Sequence, residues 1–202
     1  MFIDEPAPFI KEFVEALDAS LRQIEPTAGL STLQKKWLAF CMLAIVVTNS
    51  VCWAKFERAS LGNYSLAALS WMFRQAKLNW SLILVASVKV ILWRYHLSAG
   101  VLVLDDSEKK RAKTTKRIHR AHKVKDKKSG GYLNGQSLIM LILVTPVVTI
   151  PVGFGFYQPD PALTAWYTSD KKPKKQGVSK KERPPKPESS AAYPTKQETA
   201  LE

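Results

Sequence analysis

A chain of 202 residues with 46% hydrophobic residues is long enough to bury a core and too apolar for a wholly disordered protein. Its 30 Lys and Arg against 17 acids leave a net charge of +13, which favours a polyanion as partner, either nucleic acid or an anionic membrane surface. Only two cysteines are present, which excludes a disulfide scaffold, and the acidic start Met1-Phe2-Ile3-Asp4-Glu5 lacks the basic region that opens a secretory signal.

The charge is uneven. The first 30 residues lean acidic, while residues 109–128 and 171–186 hold most of the cationic surplus. Residues 8–24 repeat apolar side chains every fourth position (Phe9, Phe13, Leu17, Leu21), the spacing of an amphipathic helix, which Pro26 and Gly29 end. Ser31-Thr32 then caps a second helix over 33–57. Its stretch 37–54 has no charge and is as long as a bilayer crossing requires, roughly 17–25 residues. Thr48, Asn49, Ser50 and Cys52 dilute it, so a buried core helix and a transmembrane helix are both open readings, with lipid having to accept Asn49 in the second. On one helix Cys41 and Cys52 would lie roughly 16 Å apart, beyond disulfide reach, which favours a reduced, cytosolic setting.

Gly62-Asn63-Tyr64-Ser65 reads as a turn and a cap before a helix over 66–77, with Leu66, Leu69, Phe73 and Ala76 on one side. Asn79-Trp80-Ser81 opens a fourth helix over 82–95, in which Lys89 argues for a wet face and against a span. Five of the six tryptophans (37, 53, 71, 80, 93) fall in this half, at spacings expected of a helical core.

After Gly100 the texture changes from helix to strand. Val101-Leu102-Val103-Leu104 reads as a buried strand, and Asp105-Asp106-Ser107 follows at its end. Two carboxylates where an apolar strand surfaces, beside a cationic run, could hold a divalent metal against a polyanion; the same three residues also suit a plain turn. The cationic run is Lys109-Lys110-Arg111, Lys113, Lys116-Arg117, Arg120 and Lys123, continuing to Lys128. It is read as contacting phosphates, the alternative being a solvated loop. His119 and His122 have a spacing that could ligate metal, but no Cys or acid other than Asp126 stands nearby, so a loop pair is favoured over a zinc site. Residues 138–144 and 147–157 are β-branched and apolar, divided by Thr145-Pro146, and predict an antiparallel hairpin that pairs with the 101–104 strand in a sheet covered on both faces. Gln158-Pro159-Asp160-Pro161 ends the sheet, 169–194 reads as an extended or disordered Lys/Pro/Ser segment, and Thr195-Lys196-Gln197-Glu198 has the form of a capping box that opens a helix.

Taken in order, Val101 to Lys110, Ser129-Gly130-Gly131-Tyr132 to Gln136, Leu143-Val144-Thr145-Pro146 and Pro151-Val152-Gly153-Phe154 to Pro159 resemble bacterial insertion-sequence transposases of the IS4-like group. The helical stretch from Asn49-Ser50-Val51-Cys52-Trp53 to Ser70-Trp71 is similar to them too, so the resemblance covers about residues 30–202. It implies an α+β protein: a helical, DNA-binding domain over 1–97, the first strands of an RNase H-like mixed sheet over 98–168, and a Lys/Pro-rich loop with a helix start over 169–202. It also implies DDE-type phosphoryl transfer on transposon ends, with Mg²⁺ or Mn²⁺ held by two Asp and one Glu. The first carboxylate maps onto Asp105, with Asp106 as the alternative and Ser107 in the hydroxyl position. The second Asp and the Glu are expected beyond residue 202, so the chain is expected to be the N-terminal portion of such an enzyme and inactive alone. A homodimer of the complete enzyme and a cytoplasmic, nucleoid-associated location go with that reading. The competing readings are a non-catalytic DNA-binding protein and a small membrane protein with spans near 37–54 and 132–157.

Overall fold

The computed structural model describes residues 6–111, 118–126 and 128–201. The chain divides into two units, Met1–Ala99 and Gly100–Glu202. Together they make an α+β protein of seven helices and a four-stranded sheet among the described residues.

The first unit is all helical. α1 (Pro8–Ile24) starts with proline in its first turn, where the missing N–H costs nothing. Its buried stripe is Ile10, Val14, Leu17 and Leu21, one position on from Phe9, which is exposed. α2 (Thr32–Thr48) opens on a complete capping box: the Gln34 backbone N–H donates to Ser31 Oγ and the Ser31 N–H donates to the Gln34 side chain. The expected 33–57 helix is broken. Asn49 takes a left-handed conformation (φ 45°), α3 (Trp53–Ala59) restarts after Cys52, and the two helices meet at 90°. Asn tolerates that conformation better than most residues, so a polar interruption in an apolar run became a corner. α4 (Leu66–Gln75) and α5 (Trp80–Arg94) are capped by Ser65 and Asn79, as expected.

The core gathers Ile10, Val14, Trp37, Phe40, Phe56 and Leu69, with a second cluster around Leu17, Leu21, Leu30 and Ala86. Of the five tryptophans expected inside, Trp37 is buried, whereas Trp71 and Trp93 are exposed. Among the described residues no single helix is long and apolar enough to cross a membrane. The pairs α2–α3 and α4–α5 qualify only together, each bent by 90° or more.

The second unit is built on one antiparallel sheet. β3 (Tyr132–Val144) is its centre. β1 (Val101–Lys110) pairs with one edge of it, and β2 (His122–Lys125) and β4 (Thr149–Tyr157) pair in succession with the other. The β3–β4 hairpin turns at Pro146, where Thr145 Oγ1 accepts from the N–H groups of Val147 and Val148. The 132–157 stretch, one of the candidate spans, is thus a hairpin of strands.

Two expectations fail here. The strand at 101 does not stop at Leu104 but runs ten residues, so Asp105 and Asp106 lie at mid-strand and Lys109 and Lys110 belong to it. Nor is it buried: every residue of β1 is exposed, including Val101 and Leu102. The pairing itself is the one expected: β3 and β4 form an antiparallel hairpin and β1 pairs antiparallel with β3. A third difference follows the sheet. Residues 169–175 extend a helix, α6 (Pro161–Lys175), whose first turn is capped by Asp160 accepting from the Ala162 and Leu163 N–H groups. α7 (Lys196–Leu201) begins at the predicted capping box, with Thr195 N–H donating to Glu198 and Glu198 N–H to Thr195 Oγ1.

Candidate nucleic-acid interface

Strand alternation sorts the β1 side chains onto two faces. Asp106 stands opposite Ile139, which stands opposite Gly155. α7 lies over this face: a Cβ on Gly155 would come within 2.5 Å of the Thr199 methyl. Lys196 at the start of α7 makes an ion pair with Asp106 and sits 5.5 Å from the centre of the Tyr157 ring. Glu108, Lys110 and His122 share the face, and Lys110 is paired with Asp126 at 2.8 Å. The Lys110 ammonium first, then the Ser129 hydroxyl, hold the Asp126 carboxyl well below the usual carboxylate range. Asp126 also accepts from the Lys128 and Ser129 N–H groups, so it is a turn-forming residue and not an ion ligand.

The opposite face carries Asp105. Its cross-strand row is Asp105, Met140 and Phe154, with Val103 and Ser107 on either side along β1. Asp105 is exposed and makes no hydrogen bond or ion pair among the described residues. Lys109 shares this face, roughly 13 Å along the strand, and so do Lys123 and Lys125 of β2 across β3. These three lysines are exposed and have no acidic partner among the described residues. The two candidate acids are therefore not equivalent: Asp106 is engaged by a lysine under a helix, and Asp105 stands open on a face with free cations.

The remaining predicted contacts are dispersed. Arg111 continues the strand, with its backbone N–H donating to the Asn134 carbonyl at 2.7 Å and its side chain exposed. Arg120 takes a left-handed backbone conformation (φ 49°) and offers its carbonyl to His122 Nδ1 at 3.0 Å. Lys113, Lys116 and Arg117 lie outside the described residues. His119 and His122 do not converge: the His119 ring meets Phe156 edge-on, while His122 Nε2 lies 3.2 Å from Ser137 Oγ on the other face.

A two-ion site needs several oxygens converging on each ion. Among the described residues no three His, Cys, Asp or Glu side chains form such a group. Asp160 caps a helix, Asp170 is buried in α6 against Arg183, and Asp105 stands alone, so the acids present do not fit the metal pair that the resemblance implies. Two features of this unit escaped the sequence reading. One is the Lys196–Asp106 contact, which depends on α7 folding back over the sheet. The other is the length of α6, signalled by Asp160-Pro161 as cap and first helical residue. Comparison of the chain with family models, with curated proteins and with solved structures finds no match.

Proposed function

We propose that the chain carries the N-terminal elements of a DDE-type DNA transposase of the IS4-like group and binds the DNA ends of an insertion sequence. The observation that carries this reading is Asp105: exposed, and without an ion pair among the described residues, on the first strand of an antiparallel β1–β3–β4 arrangement that follows a helical unit in the chain and precedes a cationic linker. Lys109 and Lys123 on its face, with Arg111 at the strand end, are suited to the phosphates of a duplex laid along β1. Such contacts hold DNA in register and carry no sequence information themselves.

One carboxylate does not make an ion cage, so no cleavage step is assigned to these 202 residues. The engagement of Asp106 by Lys196 favours a second reading alongside the first, a DNA-binding protein that holds ends without cutting them. A mobility-shift titration, repeated with Mg²⁺, tests both readings. The probes are duplexes of about 30 base pairs taken from the two termini of the DNA element that encodes the chain, with shuffled duplexes as reference. Binding to the terminal duplexes at least about tenfold tighter than to the shuffled ones is expected, without nicking when Mg²⁺ is added. Equal affinity for both at every salt concentration would overturn the transposon-end reading. Mg²⁺-dependent nicking lost in Asp105→Ala would overturn the statement that this chain alone does not cut.

A further inference from the structure

We infer that α6 and the segment returning along it form a second, independent phosphate-binding surface for duplex nucleic acid, presented at the end of a helix clasped by the chain that follows it. The inference rests on the DNA reading above but on none of its residues.

Residues 171–186 hold eight cations (Lys171, Lys172, Lys174, Lys175, Lys180, Lys181, Arg183, Lys186) against one acid, Glu182. That is +7 of a net +13. Composition alone predicts a disordered linker, and the structure departs from that in a specific way. The chain leaves α6 at Gly177, in a left-handed conformation (φ 77°), and runs back beside the helix. Three contacts fasten it. Arg183 Nη1 donates to both Asp170 carboxylate oxygens at 3.1 and 3.3 Å. Trp166 Nε1 donates to the Pro184 carbonyl at 2.8 Å. The Ser190 N–H donates to Asp160 Oδ2 at 3.3 Å. The helix positions 160, 166 and 170 thus meet 190, 184 and 183 in antiparallel order.

The clasp determines which way the lysines point. Leu163, Trp166, Asp170 and Pro173 follow one another at intervals of three and four, on the helix side that meets the returning chain, and none of them is exposed. The other side carries two adjacent rows, Tyr167–Lys171–Lys174 and Thr168–Lys172–Lys175, and all six residues are exposed. Lys180 and Lys181 in the turn beyond extend the same cationic end. Arg183 is the one cation of this group held in an ion pair among the described residues; its seven lysines have none.

A solvated helix end accounts for part of this. Cations in a last turn interact well with the exposed carbonyls, and Lys172, Lys174 and Lys175 lie there. One or two would serve that purpose. Lysines three and four residues apart repel each other, and a polyanion relieves the repulsion. Nucleic acid is the occupant to which we commit: Leu163, Trp166 and Pro173 face the returning chain and leave little apolar side to insert into lipid, and the purely electrostatic attraction of a polybasic segment to an anionic leaflet is what the vesicle measurement below tests. Clustered lysines of this kind contact phosphates as point charges, which positions a duplex without specifying its sequence.

The test is fluorescence anisotropy of the full chain with a labelled 25-base-pair duplex from about 50 to 300 mM salt. Three proteins are compared: wild type, the quadruple variant Lys171→Gln, Lys172→Gln, Lys174→Gln, Lys175→Gln, and a linker variant Lys109→Gln, Arg111→Gln, Lys123→Gln. Four lost contacts should flatten the plot of log affinity against log salt by about 3.6 and weaken binding at least about tenfold at 0.1 M salt. Lys→Arg at the same four positions should restore the slope. These side chains are exposed, and an unchanged circular dichroism spectrum shows that the variant is folded. A wild-type slope in the quadruple variant overturns the inference. So does loss of binding to phosphatidylserine vesicles with duplex binding intact, which would make the partner a membrane. If the quadruple variant flattens the slope and the linker variant does not, this surface stands and the β1 contacts of the proposed function fail; the reverse result has the opposite meaning.

Discussion

At the scale of single residues, Asp18 and the two cysteines show how much placement changes a side chain. Asp18 is buried in α1, yet its carboxylate accepts from the Leu30 N–H at 2.6 Å, from Lys35 Nζ at 2.7 Å and from Arg22 Nε at 3.3 Å. Burial pushes its pKa up, and the Lys35, Leu30 and Arg22 hydrogen bonds together outweigh that and hold it below the ordinary carboxylate value. A depressed folded pKa means stability that is fully present above the unfolded value, near 3.9, and is lost as pH falls through the folded one. Asp18→Asn should therefore cost about 1–3 kcal/mol at neutral pH in urea unfolding, and the gap from wild type should close as the titration is repeated below about pH 3.9. A gap that is constant with pH would mean that the charge is immaterial. The cysteines differ in the opposite sense. Burial pushes the Cys41 thiol up to about 12, while the N–H groups of Lys55 and Ala54 draw the exposed Cys52 thiol down. A thiol reagent added to the native protein at pH 8 should modify Cys52 alone, and Cys52→Ser should abolish the fast phase. Two equivalents reacting at one rate would contradict this burial of Cys41.

At the scale of elements, the legible parts are those whose ends carry their own chemistry. α1 has the bounds that Pro8 and the turn after Ile24 imply, α2 and α7 start at capping boxes, and the β3–β4 hairpin turns where Thr145-Pro146 interrupts the apolar run. The misread elements are those whose cause lies elsewhere in the chain. Residues 105–110 look like the end of a strand because they are charged, but pairing is made by backbone atoms, and β3 offers ten residues of partner regardless of what β1 carries outward. Residues 169–175 look like a linker because they hold lysine and Pro173, but the Asp160 cap and the Trp166 and Arg183 contacts keep them helical. A strand leading into Asp105 beside a hairpin was readable, and alternation along that strand puts Asp105 and Asp106 on opposite faces, whereas the cover that α7 lays over the Asp106 face was not readable. Gly155 permits that cover. Its missing side chain lets Thr199 lie against β4, with the methyl at 2.5 Å and the carbonyl oxygen at 3.3 Å from where a Cβ would be. Gly155→Ala should lift α7 and free Lys196 from Asp106, seen as loss of amide-exchange protection over 197–200. Thr199→Gly in the same chain should restore part of it by removing the methyl, and protection unchanged in Gly155→Ala would show that α7 is not seated through this contact.

At the scale of the whole molecule, the two units are unequally supplied with buried apolar side chains. The helical unit holds both core clusters, with Phe40, Phe56, Ile10, Leu21 and Leu69 almost wholly enclosed. In the sheet unit the buried hydrophobic residues, among those described, are Val124, Ile139 and Ile150, and β1 leaves Val101, Leu102, Val103 and Leu104 exposed. Since stability is a small difference between burial and chain entropy, a unit with so few enclosed side chains should open at lower denaturant than its neighbour in the chain. The tryptophans make the difference visible: 37, 53, 71, 80 and 93 report the helical unit, and only Trp166 lies in the other. In urea, the fluorescence of a Trp166→Phe variant should therefore keep its native value past the point where amide exchange of β1 and β3 has become fast. The exposed run 101–104 on an outer strand should also bind a hydrophobic dye in the native state, and Leu102→Lys with Leu104→Lys should lower that signal without moving the fluorescence transition. A single coincident transition by both probes would mean that the sheet unit draws its stability from the helical one, and the division into two separately folding units would then be wrong.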